Sequence, residues 1–263
     1  MKFGFIGCGN MGGAIARGVV KAAGGEQVLL ANKTMAKAEN LAKELSCTVG
    51  SNEDAALCEY VFLGVKPYLM ADMLEKIQPV LAESQPVLIT MAAGLTMERI
   101  REMAGGNYPV IRIMPNTPSA IGEGMIQYCT LDVSDAQEAE FLTAMAHCGR
   151  MDKIPENLID AASAVSGCGP AFACLLMEAL ADGGVACGLP RAKANLYAAQ
   201  MLIGTGTMLL ESGKHPGSLK DSVCSPGGST IQGVRVLEEA GLRGAVMDAV
   251  IAAFEKNRDL GKK

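Results

Sequence analysis

The amino-acid sequence predicts an α/β fold, with a doubly wound, mostly parallel sheet over residues 1–155 and an all-α region over residues 156–263. Three observations support this prediction. Short apolar runs alternate with helical segments in the first region, which is typical of strand–helix–strand units. A glycine-rich turn joins the first apolar run to the first helix. In the second region the strand-like runs end, and alanine, leucine, methionine and glycine recur at helical spacing.

Residues 60–65 form a continuous apolar run, which is typical of a strand covered on both faces, and residues 87–91 and 110–114 are similar. Amphipathic segments between the runs define the predicted helices. The strands are residues 3–6, 28–31, 48–49, 60–65, 87–91, 110–114, 125–129 and 151–154, and the helices are residues 12–23, 34–44, 68–82, 96–104 and 134–147.

The turn after the first strand has the spacing G-x-G-x-x-G, formed by Gly7, Cys8, Gly9, Asn10, Met11 and Gly12. A strand, this turn and a helix in that order form the dinucleotide-binding fingerprint of Rossmann-type domains. Gly7 permits the tight turn, Gly9 lets backbone approach a pyrophosphate, and Gly12 lets the helix pack closely on the strand. The free N–H groups at the helix N-terminus then bind the phosphates. An ordinary glycine-rich turn is the alternative interpretation.

The residues after the second strand indicate which dinucleotide binds. NAD-binding folds place an acidic residue there to bind the ribose 2′-hydroxyl, whereas this chain has Asn32 and Lys33. Both side chains can donate hydrogen bonds to a 2′-phosphate, which an acid would repel. We therefore expect NADPH as the cofactor, with NADH possible. The alternative is that Lys33 is a solvated lysine at a helix start.

Three further loops follow predicted strands at the same edge of the sheet, where ligands bind in such folds. Small residues and prolines in these loops leave room for a ribose and a nicotinamide, although each loop alone is equally compatible with packing. The additional cofactor-binding candidates are Val65, Lys66, Pro67, Ala92, Ala93, Gly94 and Asn116, together with Asn52.

A second glycine turn lies within residues 223–231. We expect Ser225 to cap the following helix and Pro226 to occupy its first turn. Gly227 and Gly228 would weaken a helix start, so they indicate that backbone approaches a ligand there. The turn therefore predicts a second anion site, to which Ser229 and Thr230 add hydroxyl groups. A simple helix start is the alternative.

A third glycine-containing turn lies at residues 166–171. The sequence leaves three interpretations of this turn open: a hinge, a wall of the substrate site or a plain loop.

Composition argues against several classes of function. The net charge of −5, the absence of tryptophan and the aromatic content of 4% argue against a nucleic-acid-binding surface. Nine scattered cysteines without a C-x-x-C pair indicate free thiols in a reducing compartment, hence a cytoplasmic protein. His147 and His215 are the only histidines, and no zinc-ligand spacing is present, so no metal is expected.

Residues 161–177 and 194–210 are uncharged runs that are too short and too weakly apolar to predict membrane spans. Helices that are apolar nearly all round must be buried by other helices. The all-α region has little room to bury both, so we expect them to pack against a second copy of the chain. A compact monomeric bundle is the alternative.

With these segments identified, the chain resembles the pyrroline-5-carboxylate reductases nearly from end to end. Residues 223–238, VCSPGGSTIQGVRVLE, resemble the family's signature, and the glycine turn, the three strand-end loops and residues 166–171 match in the same order. Two departures are Cys168, where the family usually has a serine, and Ser229, where it has an alanine. Both substitutions are small and leave the resemblance intact.

The resemblance implies reduction of 1-pyrroline-5-carboxylate to L-proline by NAD(P)H. The substrate-binding candidates are Ser225, Gly227, Gly228, Ser229 and Thr230, with the carboxylate on the backbone N–H groups. Thr230 is the catalytic candidate, because the family pattern places its hydroxyl on the ring nitrogen. The imine would arrive protonated or take its proton from water. The family also implies a homodimer through the helical domain, which often assembles further into a decamer.

Two competing functions remain open at the level of sequence. A β-hydroxyacid dehydrogenase would share the first domain but would need a catalytic lysine in the second, where Lys193 is the nearest candidate. A non-catalytic NADP-sensing protein would bind the cofactor without consuming it.

Overall fold

A computed structural model describes residues 1–260 and divides into two compact units. The first unit comprises Met1–Cys168 together with the segment from Ala253 onward, and the second comprises Gly169–Ala252.

The first unit contains an eight-stranded sheet, built from residues in the described part of the chain. The strand order is β3-β2-β1-β4-β5-β6-β7-β8, and every neighbouring pair is parallel except β6 and β7. The order reverses direction between β1 and β4, which creates a switch point at their carboxyl ends. The strands are β1 (Phe3–Ile6), β2 (Val28–Ala31), β3 (Thr48–Val49), β4 (Tyr60–Leu63), β5 (Val87–Thr90), β6 (Val110–Met114), β7 (Gly124–Leu131) and β8 (Gly149–Lys153).

Helices cover both faces of this sheet, as the doubly wound prediction requires. One layer of core side chains includes Ile15, Phe62 and Phe141, and the other includes Leu63 and Leu74. The helices are α1 (Asn10–Ala23), α2 (Met35–Leu45), α3 (Asn52–Ala56), α4 (Met70–Ser84), α5 (Met97–Ala104), α6 (Asp135–Ala144) and α7 (Ile159–Ser166). The predicted fold class and strand order along the chain are confirmed.

Helix α3 was not predicted from the sequence. It has only five residues, which is too short for an apolar repeat to be visible. Its start is fixed locally by a capping box, in which the Ser51 hydroxyl accepts a hydrogen bond from the Asp54 N–H and the Asp54 carboxylate accepts one from the Ser51 N–H. The spacing of these two residues was the available signal.

The boundary between the two compact units lies after Cys168, whereas the sequence predicts a domain boundary between residues 155 and 156. Residues that precede Cys168 belong to the first unit because Ile159 and Ala164 are buried in it. Arg112 of β6 also pairs with Glu156 at 3.2 Å and with Asp160 at 3.1 Å.

The regular secondary structure of the second unit is entirely helical in its described residues, as predicted. It contains α8 (Gly169–Ala186), α9 (Arg191–Ser212), α10 (Pro216–Ser222), α11 (Ser229–Glu239) and most of α12 (Leu242–Leu260). Its buried hydrophobic side chains are Ala181, Ala194 and Ala198. Large apolar side chains lie exposed on every one of its long helices, among them Leu175, Leu180, Leu196, Ile203, Leu210, Val236 and Met247.

One helical stretch, Glu156–Ala186, is long and apolar enough to cross a membrane when judged by length and composition alone. A turn at Gly167–Cys168 divides it into α7 and α8. Helices of soluble proteins pass the same test, so this stretch by itself is weak evidence for a membrane span.

Candidate cofactor and substrate sites

The glycine turn lies at the switch point of the sheet, between β1 and α1. Gly7 has a φ angle of +101°, which favours glycine, and its N–H donates to the Ala31 carbonyl at 2.8 Å. A Cβ atom at this position would stand 2.7 Å from the Gly64 carbonyl oxygen. Only glycine therefore fits between β1 and the neighbouring strand β4.

Two further glycines make the same close approach. A Cβ atom on Gly12 or on Gly64 would overlap the carbonyl oxygen of Gly7. The three glycines thus let α1, β1 and β4 meet at one point. Sequence reasoning missed Gly64 and extended the fourth strand through residue 65, whereas β4 ends at Leu63. The sequence signal for Gly64 was its position directly after a buried strand, which is also the position of Gly7.

Gly9 differs from these three because a Cβ atom on it would meet nothing within 4 Å. It is the N-cap of α1, and no side chain caps the helix. No acidic residue lies in the first turn, so the N–H groups that begin with Asn10 and Met11 are available to an anion. The open space over Gly9 and this helix start fit the pyrophosphate of a dinucleotide.

Cys8 is a packing residue within this turn. Its side chain is buried, and burial raises the pKa of the thiol to about 11, so the thiolate that a nucleophile requires is not formed near neutral pH. Its backbone N–H donates to Asn32 Oδ1 at 3.0 Å, and Asn32 Nδ2 donates to the Thr34 carbonyl at 3.0 Å. The Asn32 amide, predicted to bind the cofactor, is therefore already bonded at both ends within the protein.

Lys33 and Asn52 follow β2 and β3 at the carboxyl edge of the sheet. Lys33 is exposed and forms no ion pair with any residue among 1–260. Asn52 is half-buried and is the first residue of α3. Their cation and amide groups remain available to an anion at this edge.

The loops after β4 and β5 contain the remaining strand-end candidates. Lys66 is exposed and precedes a short 3₁₀ helix, Pro67–Leu69, while Val65 and Pro67 are half-buried. Ala92 is buried with its N–H donating to Thr90 Oγ1 at 3.3 Å. Ala93 and Gly94 follow it, and Gly94 has a φ angle of +78°. These loops lie on the same sheet edge as the glycine turn, as predicted.

Asn116, predicted as a cofactor contact, has its side chain bonded inside the first unit. The residue is buried, Nδ2 donates to the Ser166 carbonyl at 2.9 Å, and Oδ1 accepts from the Met125 N–H at 3.0 Å. The Ser166 hydroxyl donates to Gln127 Oε1 at 2.9 Å. This amide joins the loop after β6 to β7 and to the end of α7, a network that sequence spacing does not reveal.

The second glycine turn precedes α11 in the second unit, and its geometry corrects one expectation. The Gly228 N–H donates to the Ser225 carbonyl at 3.0 Å, which closes a β-turn with Pro226 and Gly227 at its centre. Gly227 has a φ angle of +71°, as the third position of such a turn requires. Gly228 is the N-cap of α11, so the predictions that Ser225 caps it and that Pro226 lies in its first turn are wrong.

The start of α11 presents uncompensated backbone donors. No side chain caps the helix, and no acidic residue lies in its first turn. Ser229 and Thr230 are exposed, and a Cβ atom on Gly227 would meet nothing within 4 Å. Free N–H groups, the helix dipole and two hydroxyl groups can therefore bind a carboxylate there.

The described residues contain no group of three or more potential metal ligands. Lys193, the lysine that a β-hydroxyacid dehydrogenase would need, is exposed in the first turn of α9 and forms no ion pair within residues 1–260.

Comparison with known protein families gives two matches. Residues 156–260 match the model of pyrroline-5-carboxylate reductase dimerisation domains, and residues 2–94 match that of coenzyme F420-dependent NADP oxidoreductases. The pyrroline-5-carboxylate reductase of Escherichia coli strain K12 is 38% identical over 268 residues, which cover 99% of this chain and 98% of the relative. That of Glycine max is 40% identical over 267 residues, covering 98% and 95%.

Solved structures give the same result. Plasmodium falciparum pyrroline carboxylate reductase with NADP bound has a TM-score of 0.89 at 34% identity, covering 99% of this chain and 98% of the other. The Streptococcus pyogenes 1-pyrroline-5-carboxylate reductase has a TM-score of 0.89 at 30% identity, covering 98% of each chain.

Proposed function

This chain belongs to the pyrroline-5-carboxylate reductase family, and from that membership we propose which of its residues bind the cofactor and the substrate. The enzyme reduces 1-pyrroline-5-carboxylate to L-proline with NADPH, the final step of proline biosynthesis. One observation carries the assignment of residues. Both α1 and α11 begin after a glycine turn, without a side-chain cap or an acidic residue in the first turn. Each helix start suits one anion.

We assign the cofactor to residues 1–155. Gly7, Gly9 and Gly12 shape the turn for a pyrophosphate, and the N–H groups at the start of α1 bind it. Lys33 and Asn52 are the side chains that suit a 2′-phosphate, because an ammonium and an amide both donate hydrogen bonds. When bound, the nicotinamide supplies a hydride to the imine carbon.

We assign the substrate to the region from residue 156 onward, at the start of α11. The N–H groups that follow Gly228 bind the carboxylate and fix the orientation of the ring. The Thr230 hydroxyl accepts a hydrogen bond from the protonated ring nitrogen. A protonated imine is the more electrophilic form, so this bond favours the reactive state without a protein acid.

Replacement of Thr230 tests this assignment. We expect Thr230→Ala to lower kcat by at least about tenfold while the KM for NADPH changes little, because the lost bond is made to the substrate. Thr230→Ser keeps the hydroxyl and should recover most of the turnover. Thr143→Ala, an exposed threonine on α6, controls for the substitution itself. Unchanged turnover in Thr230→Ala would remove this residue from the mechanism.

We further propose that two copies of the chain pair through the second unit. Its long helices expose large apolar side chains, whereas its buried hydrophobic residues in the described range are alanines. Light scattering at micromolar concentration should give at least the mass of a dimer, and ten times the chain mass if dimers assemble into the expected decamer. A monomer would reject the pairing.

We also propose that the enzyme is cytoplasmic, because its nine free cysteines suit a reducing compartment.

Oxidation of NADPH in the presence of 1-pyrroline-5-carboxylate separates this function from the competing ones. The reductase consumes NADPH only when the cyclic imine is added. A sensor would bind NADPH and leave it intact, and a β-hydroxyacid dehydrogenase would act on a hydroxy acid and lose activity in Lys193→Met.

A further inference from the structure

Asn32 extends the contact between β1 and β2 beyond the ends of both strands. Ile6 is paired with Ala31 in the ladder, and the Gly7 N–H still bonds to the Ala31 carbonyl at 2.8 Å. The next N–H, that of Cys8, finds its acceptor in the side chain of Asn32 at 3.0 Å. The turn at Gly7 takes the Cys8 N–H out of the β-ladder, and a side-chain amide rather than a backbone carbonyl satisfies it.

The other end of the same amide holds the loop that leads to α2. Asn32 Nδ2 donates to the Thr34 carbonyl at 3.0 Å, and that carbonyl also accepts the Lys37 N–H at 3.0 Å in the first turn of α2. Thr34 is the N-cap residue of α2, and its own side chain makes no capping bond. The amide therefore fixes the start of α2 relative to the glycine turn.

These contacts indicate different roles for Asn32 and Lys33, although the sequence predicts that both bind the 2′-phosphate. We propose that Asn32 is a positioning residue that joins the glycine turn to the start of α2, and that Lys33 makes the direct contact with the 2′-phosphate. Lys33 is exposed, adjacent and without an ion pair in the described chain. This inference rests on the proposed assignment of the cofactor to the first unit.

The chemistry of an amide explains why asparagine suits this position. An aspartate would still accept from the Cys8 N–H, but it would lose the donor to Thr34 and would add a negative charge beside the phosphate. Like charges brought together at a binding site are strongly unfavourable. Asn32 thus favours NADPH through its neutrality, although it forms no required bond with the phosphate.

The test compares dissociation constants of NADPH and NADH, measured by fluorescence titration without imine substrate. We expect Asn32→Ala to weaken both cofactors equally, by about threefold to tenfold, because the turn that both share loses its support. Lys33→Met should weaken NADPH by about tenfold and leave NADH unchanged. Asn32→Asp should weaken NADPH by at least about tenfold more than NADH. Lys43→Met, exposed in the last turn of α2, is the matched lysine control and should change neither constant.

The opposite pattern would overturn the proposal. If Asn32→Ala weakens NADPH binding alone, as Lys33→Met does, the second hydrogen on Nδ2 binds the phosphate directly and the positioning role is wrong.

Hydrogen exchange gives a readout in the cofactor-free enzyme. The Cys8 amide should exchange at least about tenfold faster in Asn32→Ala than in the wild type, whereas Lys33→Met should leave it protected. An unchanged rate in Asn32→Ala would also contradict the proposal.

Because these measurements require no turnover, they separate this inference from the reductase assignment. An enzyme that binds NADPH with the expected pattern but reduces no cyclic imine would contradict the function and leave the role of Asn32 supported.

Discussion

The two units of this protein bury their apolar side chains in different ways. The first unit covers both faces of its sheet with its own helices, and residues such as Phe62 and Leu74 are fully buried. The second unit buries only alanines among the hydrophobic residues that the structure describes, and it exposes Ile203 and Leu210 on α9. The first unit thus has a hydrophobic core of its own, whereas the second leaves most of its large apolar side chains exposed.

The comparison shows that hydrophobic content and burial are separate properties. Both units are rich in leucine, methionine and valine, but strands paired in one sheet hold their side chains between two helical layers. Helices of a small unit that are apolar on several faces cannot cover one another. Many exposed apolar side chains within one small unit favour association, and they lie in the segment that matches reductase dimerisation domains.

A charged substitution on α9 should have the largest effect, because it tests directly whether the second unit associates through its exposed apolar side chains. Leu196, Ile203 and Leu210 are spaced by seven residues and form an exposed apolar stripe. We expect Ile203→Glu to raise the dimer dissociation constant by at least about 100-fold, because the change is repeated in both copies and buries two charges. Sedimentation velocity measures the effect.

Leu57→Glu is the matched control for that experiment. Leu57 is a similarly exposed leucine on the first unit, away from the helices of the second unit, and its substitution should leave the mass unchanged. If Leu57→Glu dissociates the protein and Ile203→Glu does not, the association surface lies on the first unit instead.

Two glycine substitutions in the first unit give the next largest effect. Gly12→Ala places a Cβ atom against the Gly7 carbonyl, which is backbone and cannot move freely, so we expect a loss of about 1–3 kcal/mol or more in folding stability. Gly9→Ala meets open space and should cost less than about 1 kcal/mol, but it should weaken NADPH binding.

Thermal unfolding and NADPH titration of both glycine variants make this measurement. Equal destabilisation by Gly9→Ala and Gly12→Ala would show that the space over Gly9 is needed for folding rather than for a ligand.

The smallest effect concerns acid stability of the first unit. Lys153 at 2.6 Å and the Tyr128 hydroxyl at 2.8 Å lower the pKa of Glu138. Because the folded-state pKa lies below that of the unfolded chain, the stabilisation is present above the unfolded value of about 4.3 and is lost as pH falls through the folded value. We expect Glu138→Gln to cost less than about 1 kcal/mol at pH 7 and progressively less as the pH falls below the unfolded value.

Urea unfolding of wild type and Glu138→Gln at fixed protein concentration, between about pH 7 and pH 3, measures this difference. A constant gap between the two proteins across that range would mean that Glu138 stabilises the fold by packing rather than by its charge.

Much of the first unit was accessible to sequence reasoning because its signals are local. Apolar runs predicted most of the strands, and the spacing from Gly7 to Gly12 predicted the position of α1, which begins at Asn10 rather than at residue 12. The prediction for Ser225 failed since a serine before proline suits both a helix cap and a β-turn, and the positive φ angle of Gly227 decided between them.

What the sequence by itself determined is the order of strand, glycine turn and helix, because those features depend on neighbouring residues. Only the tertiary structure decided that the amide of Asn32 bonds to Cys8 and that of Asn116 to Ser166. Such partners are far apart along the chain and meet only when strands and helices have packed. The exposure of apolar side chains on the second unit also depends on the tertiary structure, since a helix face is buried only where another element packs against it.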